Sequence, residues 1–390
     1  MNANPSRRQF LQAGMALPAA GLVTSNSLES AFQEPPKSKE PPKVVYRTLG
    51  KTDLKPSGVG YGIGYVPPTE VVARALDMGI NYYDTARDYK DSERIFSGVI
   101  KGRQRDKIII ATKSPSYKKE QILKDLDTSL SELGTDYVDI WHLHARDTPA
   151  AIPDGALEAM QMAKKSGKAR YLGFSCHKPY AMVDFLIKTK VFDVMQMTYS
   201  YPIGGRLRNE AVDKLRQAGI GVIAMKVVVA VSGLNLANFT GKPKTTGEGP
   251  LAGIKWVLTN PGIGTTVPHM DTIPQLEMNF RAMSEPYTAT DEQLLYVLNE
   301  QIRPNYCRMC YDCEGKCPKD MPVADVLRFL AYHDFCGNYH QAAMSFSGLA
   351  KEVRDVRCSD CSDCAIKCPN GVHVQDRLIR AQELLAQRQP

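Results

Sequence analysis

The 390-residue chain has no long basic run and no apolar stretch long enough to cross a bilayer. Its net charge of +7 is mild and scattered, which argues against a nucleic-acid partner. The apolar segment at residues 13–23 is interrupted by Gly14, Pro18 and Gly21 and is too short to span, so no stable membrane insertion is expected. A glycine-rich phosphate fingerprint after the first strand candidate is also missing, which weighs against a doubly wound dinucleotide fold. Charged and apolar fractions of 23% and 43% are ordinary, so a sizeable core can form. The length allows one large domain and a smaller one.

Cysteine, by contrast, is concentrated. Eight of the ten cysteines fall in two runs near the C-terminus. Cys307, Cys310, Cys313 and Cys317 precede Pro318, and Cys358, Cys361, Cys364 and Cys368 precede Pro369. Both read C-x2-C-x2-C-x3-C-P, the spacing of bacterial 4Fe–4S ligation. A cubane needs thiolates converging from several directions, which three close cysteines and one more distant one supply. Paired zinc ligands and a disulfide framework are competing readings, but neither accounts for an intact run repeated twice. Two 4Fe–4S clusters are therefore expected. Cys176 and Cys336 are left over and are expected to be buried, inert thiols.

At the N-terminus, Ser6-Arg7-Arg8-Gln9-Phe10-Leu11 precedes the short apolar segment. This order resembles the twin-arginine export signal, a receptor-read address in bacteria. Residues 1–31 are expected to be that signal. Residues 32–43, with Pro35, Pro36, Pro41 and Pro42, read as an extended linker. The route moves folded proteins, so the expected location is periplasmic, reached with the clusters already built.

Between residues 44 and 285 short apolar runs alternate with longer helical patterns. Strand candidates lie at 58–64, 80–85, 107–113, 137–144, 170–175, 191–198, 219–226 and 262–268. Helical stretches lie at 70–78, 92–100, 119–133, 155–165, 180–189, 209–218, 250–258 and 271–281. Strand–helix repeated eight times predicts an α/β fold, a (β/α)8 TIM barrel. A strand pair at 45–47 and 54–56 would cap its bottom. Barrel chemistry gathers at strand C-termini. Those ends carry Asp84 and Tyr89, Lys113, His144, Ser175, and Gln196 with Tyr199. Each alone has a bland reading as a cap, a solvated charge or packing. Their joint placement is what suggests one pocket.

The run Gly79-Ile80-Asn81-Tyr82-Tyr83-Asp84-Thr85-Ala86, then Tyr89 and Ser92-Glu93, closely resembles the aldo-keto reductase signature. The likeness continues through Ala111-Thr112-Lys113, Val138 to His144, Gly167 to Ser175 and Gln275 to Asn279. The tail extends beyond the common family and looks like the branch fused to a ferredoxin-type module. The resemblance implies a catalytic tetrad of Asp84, Tyr89, Lys113 and His144. Tyrosine ordinarily titrates near 10, and a nearby ammonium would bring it toward neutrality. Asp84 would hold Lys113, and His144 would assist at the substrate oxygen. His142 is expected inside the barrel. The resemblance also implies Tyr199 stacking on a nicotinamide, Ser175 and Gln196 holding its carboxamide, and Gln275 and Asn279 at the adenine end.

The chain departs from that pattern in three places. Cys176 follows the serine, and Met225-Lys226-Val227-Val228 follows strand seven. His269-Met270-Asp271-Thr272 lacks the basic residues that hold a 2′-phosphate, so NADP and NAD both remain open. Residues 286–390 are expected to form a mainly helical di-cluster domain. If the fourth cysteines cross over, as in two-cluster ferredoxins, Cys307, Cys310, Cys313 and Cys368 form one set, and Cys358, Cys361, Cys364 and Cys317 the other. The expectation is an exported oxidoreductase acting on a small carbonyl or alcohol with tightly bound NADP or NAD. Its clusters would pass electrons to a protein partner. The alternative is a non-catalytic electron carrier or redox-sensing binding protein.

Overall fold

The computed structural model describes residues 42–229, 231 and 248–386. The signal at 1–31 and most of the linker at 32–43 lie outside the described residues. An eight-stranded parallel sheet runs in sequence order through β1 (Tyr61–Gly62), β2 (Tyr82–Asp84), β3 (Ile109–Ser114) and β4 (Val138–Leu143). It continues through β5 (Ala169–Cys176), β6 (Val194–Thr198), β7 (Gly221–Met225) and β8 (Ile263–Thr266). A parallel bridge between Val59 and Thr266 closes the ring, and Gly60 N donates to Thr266 O at 2.8 Å.

The crossovers are α1 (Thr69–Asp77), α2 (Ser92–Ile100), α3 (Lys119–Leu133), α4 (Asp154–Lys165) and α5 (Pro179–Thr189). They continue with α6 (Arg206–Ala218), α7 (Gly249–Leu258) and α8 (Ile273–Arg281). Their local logic is visible in α3. Ile122, Leu126, Leu130 and Leu133 recur at helical spacing and are buried, and Gly134 ends the helix with φ at 65°.

Strand alternation sorts the side chains into two layers. Tyr82, Ile109, Ile140, Val194 and Ile223 fill the barrel interior. Tyr83, Ile110, Trp141, Phe174 and Met195 face the helices. The expected bottom cap is a single antiparallel bridge, Tyr46 to Ser57, that drops Leu49 and Leu54 into the floor. Arg47 fastens it through Ile263 O, Leu258 O and Asn260 O at 2.9 to 3.0 Å.

The tail carries α9 (Ala289–Ile302), α10 (Val323–Asp334), α11 (Tyr339–Ser347), α12 (Lys351–Asp355) and α13 (Val374–Leu385). It belongs to the same compact unit as the barrel. Leu295, Leu298, Tyr306 and Phe335 of the tail share an apolar cluster with Ile203 and Ala252 of the barrel. Helix α10 is buried on nearly all sides. Asp334 at its end is gripped by Arg377 and by Arg380, the latter at 2.8 Å. No helix among the described residues is long and apolar enough to cross a membrane.

Candidate active site in the barrel mouth

Inward-facing positions at the strand C-termini converge as alternation requires. Lys113 Nζ donates to Asp84 Oδ2 at 2.6 Å and to Thr85 O at 2.7 Å. Both side chains are almost fully buried, at 1% and 5% exposure, so each charge depends on the other. Gln196 Nε2 donates to the same Asp84 oxygen at 3.0 Å.

Tyr89 lies beside this group, with Lys113 Nζ 5.7 Å from its ring centroid and the His144 ring 5.6 Å away, edge-on. The four residues of the expected tetrad therefore share one place. His142 is fully buried in the interior, where Gly173 leaves it room: a Cβ there would sit 2.6 Å from His142 Nδ1.

The electrostatics differ from expectation at Tyr89. Burial pushes its phenol well above the ordinary range, and the carboxylates of Asp84 and Asp88 push it further. Lys113 is already neutralised by Asp84 and meets the ring face, so it does not bring Tyr89 toward neutrality. Tyr89 is thus a held proton, suited to act as an acid. Asp88, which sequence reasoning missed, bonds His144 Nδ1 at 2.9 Å. A neutral imidazole donating there leaves Nε2 as an acceptor. Only the imidazolium paired with Asp88 donates on both sides.

Strain collects at the same rim. Lys90, Ala145 and Lys226, each soon after a strand end, have φ of 50°, 53° and 63°. Non-glycine residues adopt this region only where the surroundings hold them there.

The expected nicotinamide contacts divide. Ser175 Oγ accepts from Ala145 N at 2.9 Å, which leaves its hydroxyl proton to donate. Gln196 Oε1 is buried with no partner among the described residues. One donor and one acceptor side by side complement a carboxamide. Tyr199 does not belong to this group. It shares the outward face of its strand with Met195 and Met197 and stacks on Trp256, with centroids 5.2 Å apart. Its hydroxyl donates to Asn209 Oδ1 at 2.6 Å and accepts from Asn260 at 3.0 Å. The stacking role is therefore withdrawn.

At the other end, Gln275 caps α8. Its Oε1 accepts from Asp271 N at 2.7 Å, and its side chain closes a capping box with Thr272. Asn279 is 3% exposed, with an unpartnered Oδ1. Asp271 pairs with His269 at 2.8 Å.

A model of the Aldo/keto reductase family matches residues 68–251. The barrel is thus similar to the aldo/keto reductases over that span. The chain is 27% identical to L-galactose dehydrogenase of Arabidopsis thaliana over 289 residues, 62% of this chain and 89% of that protein. It is 28% identical to L-glyceraldehyde 3-phosphate reductase of Escherichia coli over 211 residues, 47% of this chain and 61% of that enzyme. Among solved structures, the holo form of an aldo-keto reductase from Bacillus halodurans is similar at 26% identity with a TM-score of 0.54. That match covers 65% of this chain and 96% of that structure.

All ten cysteines, nine of them in the tail, are free of disulfides. Cys307 is acted on by Cys313, Cys310 and Cys368, and burial pushes it up to about 12. Cys358 is acted on by Cys317, Cys361 and Cys364, and burial likewise pushes it up to about 11. Cys368 of the second run thus lies near the first three cysteines of the first run, and Cys317 of the first run near those of the second. Cys307, Cys310, Cys313 and Cys368 also line one cavity, with Asn370 Nδ2 3.4 Å from Cys310 Sγ. Among the described residues no three His, Cys, Asp or Glu side chains come together closely enough to hold a single metal ion. Cys176 is buried, as expected. Cys336 is exposed, because it falls in the turn after α10 rather than on its packed face.

The tail also adds side chains that sequence reasoning missed. Tyr332, 7% exposed, accepts from Arg328 Nη1 at 2.9 Å, and its hydroxyl lies 3.4 Å from His177 Nε2. His177 follows Ser175 on the same strand face, so period-two counting could have found it. Nothing in the sequence ties Tyr332 to the barrel.

Proposed function

We propose that this chain is an exported oxidoreductase interconverting a small carbonyl compound and its alcohol with tightly held NADP or NAD. Its tail would carry two 4Fe–4S clusters that pass electrons to a protein partner. The observation that carries the reading is the buried Asp84–Lys113 pair beside Tyr89 and His144, with the Ser175 hydroxyl, whose oxygen accepts from Ala145 N, and the unpartnered Oε1 of Gln196 adjacent. The activities for which the relatives are named, a sugar dehydrogenase and a hydroxyaldehyde phosphate reductase, favour a small hydroxylated carbonyl as substrate.

In this reading Ser175 and Gln196 orient the carboxamide end of the cofactor. Asn279 offers its unpartnered oxygen further out. The nicotinamide, when bound, supplies or takes the hydride. Tyr89 gives the substrate oxygen its proton, and burial keeps that proton in place until needed. Lys113 and Asp84 fix the rim and its field, and His144, poised by Asp88, orients the oxygen. The clusters would be held by two quartets of thiols, Cys307, Cys310, Cys313 and Cys368, and Cys358, Cys361, Cys364 and Cys317, a reading supported by the nearness of Cys368 to the first run and Cys317 to the second.

The test is anaerobic purification followed by NADH or NADPH. Bleaching of the cluster absorbance is the expected result. Protein with full clusters and an empty cofactor site that bleaches with neither would overturn the coupling.

A further inference from the structure

Two arginines beside the first cysteine run carry charges that no carboxylate answers. Arg208, on α6 of the barrel, is 3% exposed. Its Nε donates to Ile203 O at 2.9 Å and its Nη2 to Met309 O at 3.2 Å. Its Nη1 is buried without a partner among the described residues. Arg308, next to Cys307, gives Nη2 to Asn299 O at 3.1 Å, and its Nη1 is likewise buried and unpartnered. Elsewhere in the tail, buried Arg328 and Arg377 meet Asp325 and Asp334, whereas no carboxylate among the described residues lies within ion-pair distance of Arg208 or Arg308. A carbonyl can hold a guanidinium but does not cancel its charge, and an uncompensated buried charge is strongly destabilising.

Both arginines reach one place. Met309, whose carbonyl Arg208 holds, has φ of 51° and gives its N–H to Cys307 Sγ at 3.3 Å. A methionine keeps that left-handed backbone only where its surroundings fix it, and Arg208 supplies such a hold from the barrel. Arg308 lines one cavity together with Cys307, Cys310, Cys313 and Cys368. Orphaned cations around a cavity of thiols fit an anionic group bound there.

We propose that Arg208 and Arg308 are the counter-charges of the first thiol quartet, and that they make the barrel-side centre the easier of the two to reduce. The inference rests on the two-cluster reading above. Arg208 acts through Met309 and is a positioning residue.

Four thiolates around a 4Fe–4S core leave a net negative charge, which one electron increases. Reduction potential follows that net charge and the hydrogen bonds to sulfur. A cation held in a low-dielectric interior therefore favours the reduced form. The two quartets differ in both respects. Met309 N and Asn370 Nδ2 give hydrogen bonds to Cys307 and Cys310, both of the first quartet. The cation acting on Cys358 of the second quartet is Lys319, which is exposed and open to screening by salt. Asp312 opposes the arginines at Cys310, but it too is exposed. Exposed Asp360 and Asp363 stand in the loop of the second run and work against reduction there. One electron entering the pair thus rests on the first quartet. Its Cys307 and Cys313 pack against the apolar cluster that joins tail to barrel.

The experiment uses the anaerobically purified full chain, titrated with dithionite at controlled potential and followed by electron paramagnetic resonance. Cys310→Ala assigns the first centre by the signal it removes. In the wild type that centre should be reduced before the other. Arg208→Met should make it harder to reduce by about tenfold in its equilibrium, about 59 mV for one electron, and leave the second centre where it was. Arg308→Met should move the same centre in the same direction. Arg208→Lys keeps the charge and loses the planar fork, so it should restore most of the potential. A merely structural role would suffer equally from lysine and methionine. An unmoved potential in Arg208→Met, equal shifts from Lys and Met, or a second centre reduced first in the wild type would overturn the inference. If Arg208→Met holds no first centre, Arg308→Met decides: a lowered potential supports the counter-charge, and an unmoved one overturns it. Wild-type protein that takes up no iron would sink the two-cluster reading itself, and this inference with it.

Discussion

Tyr199 lies nearly parallel to Trp256, with ring planes 23° apart and centroids separated by 5.2 Å, between the barrel and its helical coat. A ring held there cannot lie against a cofactor in the mouth. Tyr199→Phe should leave nicotinamide affinity unchanged, as measured by quenching of protein fluorescence on titration. The lost hydroxyl should cost about 1 kcal/mol of stability, since Asn209 and Asn260 lose a partner. A large loss of affinity would restore the stacking role.

Lys113→Met should abolish carbonyl reduction and destabilise the fold by about 3–5 kcal/mol, because Asp84 would be left buried and unpaired. Adding Asp84→Asn should recover part of the stability, read by chemical denaturation, without recovering activity. If the double variant is less stable than Lys113→Met, the pair is not what holds this rim.

Gly173→Ala puts a methyl group 2.6 Å from His142 Nδ1 and 2.7 Å from Val194 Cγ2. Neither neighbour has space to retreat within the packed interior, so a loss of about 1–3 kcal/mol is expected. A melting temperature equal to wild type would show the interior to be looser than the packing implies.

His177 makes stability depend on pH in a known direction. Its folded value of about 4 lies below the ordinary imidazole value, so the unfolded chain binds the proton first. The contribution is complete above about pH 6.5 and is lost as pH falls toward 4, worth roughly 3 kcal/mol for a depression of this size. His177→Gln should flatten the decline in melting temperature over that window. Parallel curves for the two proteins would refute the assignment.

The two thiol quartets predict which cluster each substitution removes. Cys317→Ala should damage the centre held mainly by Cys358, Cys361 and Cys364, and Cys368→Ala the one held by Cys307, Cys310 and Cys313. Iron content and electron paramagnetic resonance of the reduced variants would separate the two. Loss confined to the parent run in each case would rule out the crossover.

All eight strands and eight crossover helices were readable because each carries its own period. α2 and α3 even end where the pattern places them. The tetrad was readable for the same reason: strand ends of a barrel must face one mouth. Tyr199 was misplaced because parity fixes direction. Gln196 points inward, so the residue three positions on points out. The high value at Tyr89 could not be read either, since it depends on how completely burial and two carboxylates outweigh one ammonium.

By itself the sequence determined the local periods, the inward-facing ionisable residues and the spacing of the cysteine runs, since all three are short-range properties of the chain. Tertiary structure alone decided what closes the mouth. Tyr332 and His177 are 155 residues apart. Only the burial of α10 against the strand ends brings the phenol to the imidazole, and no local pattern encodes that contact.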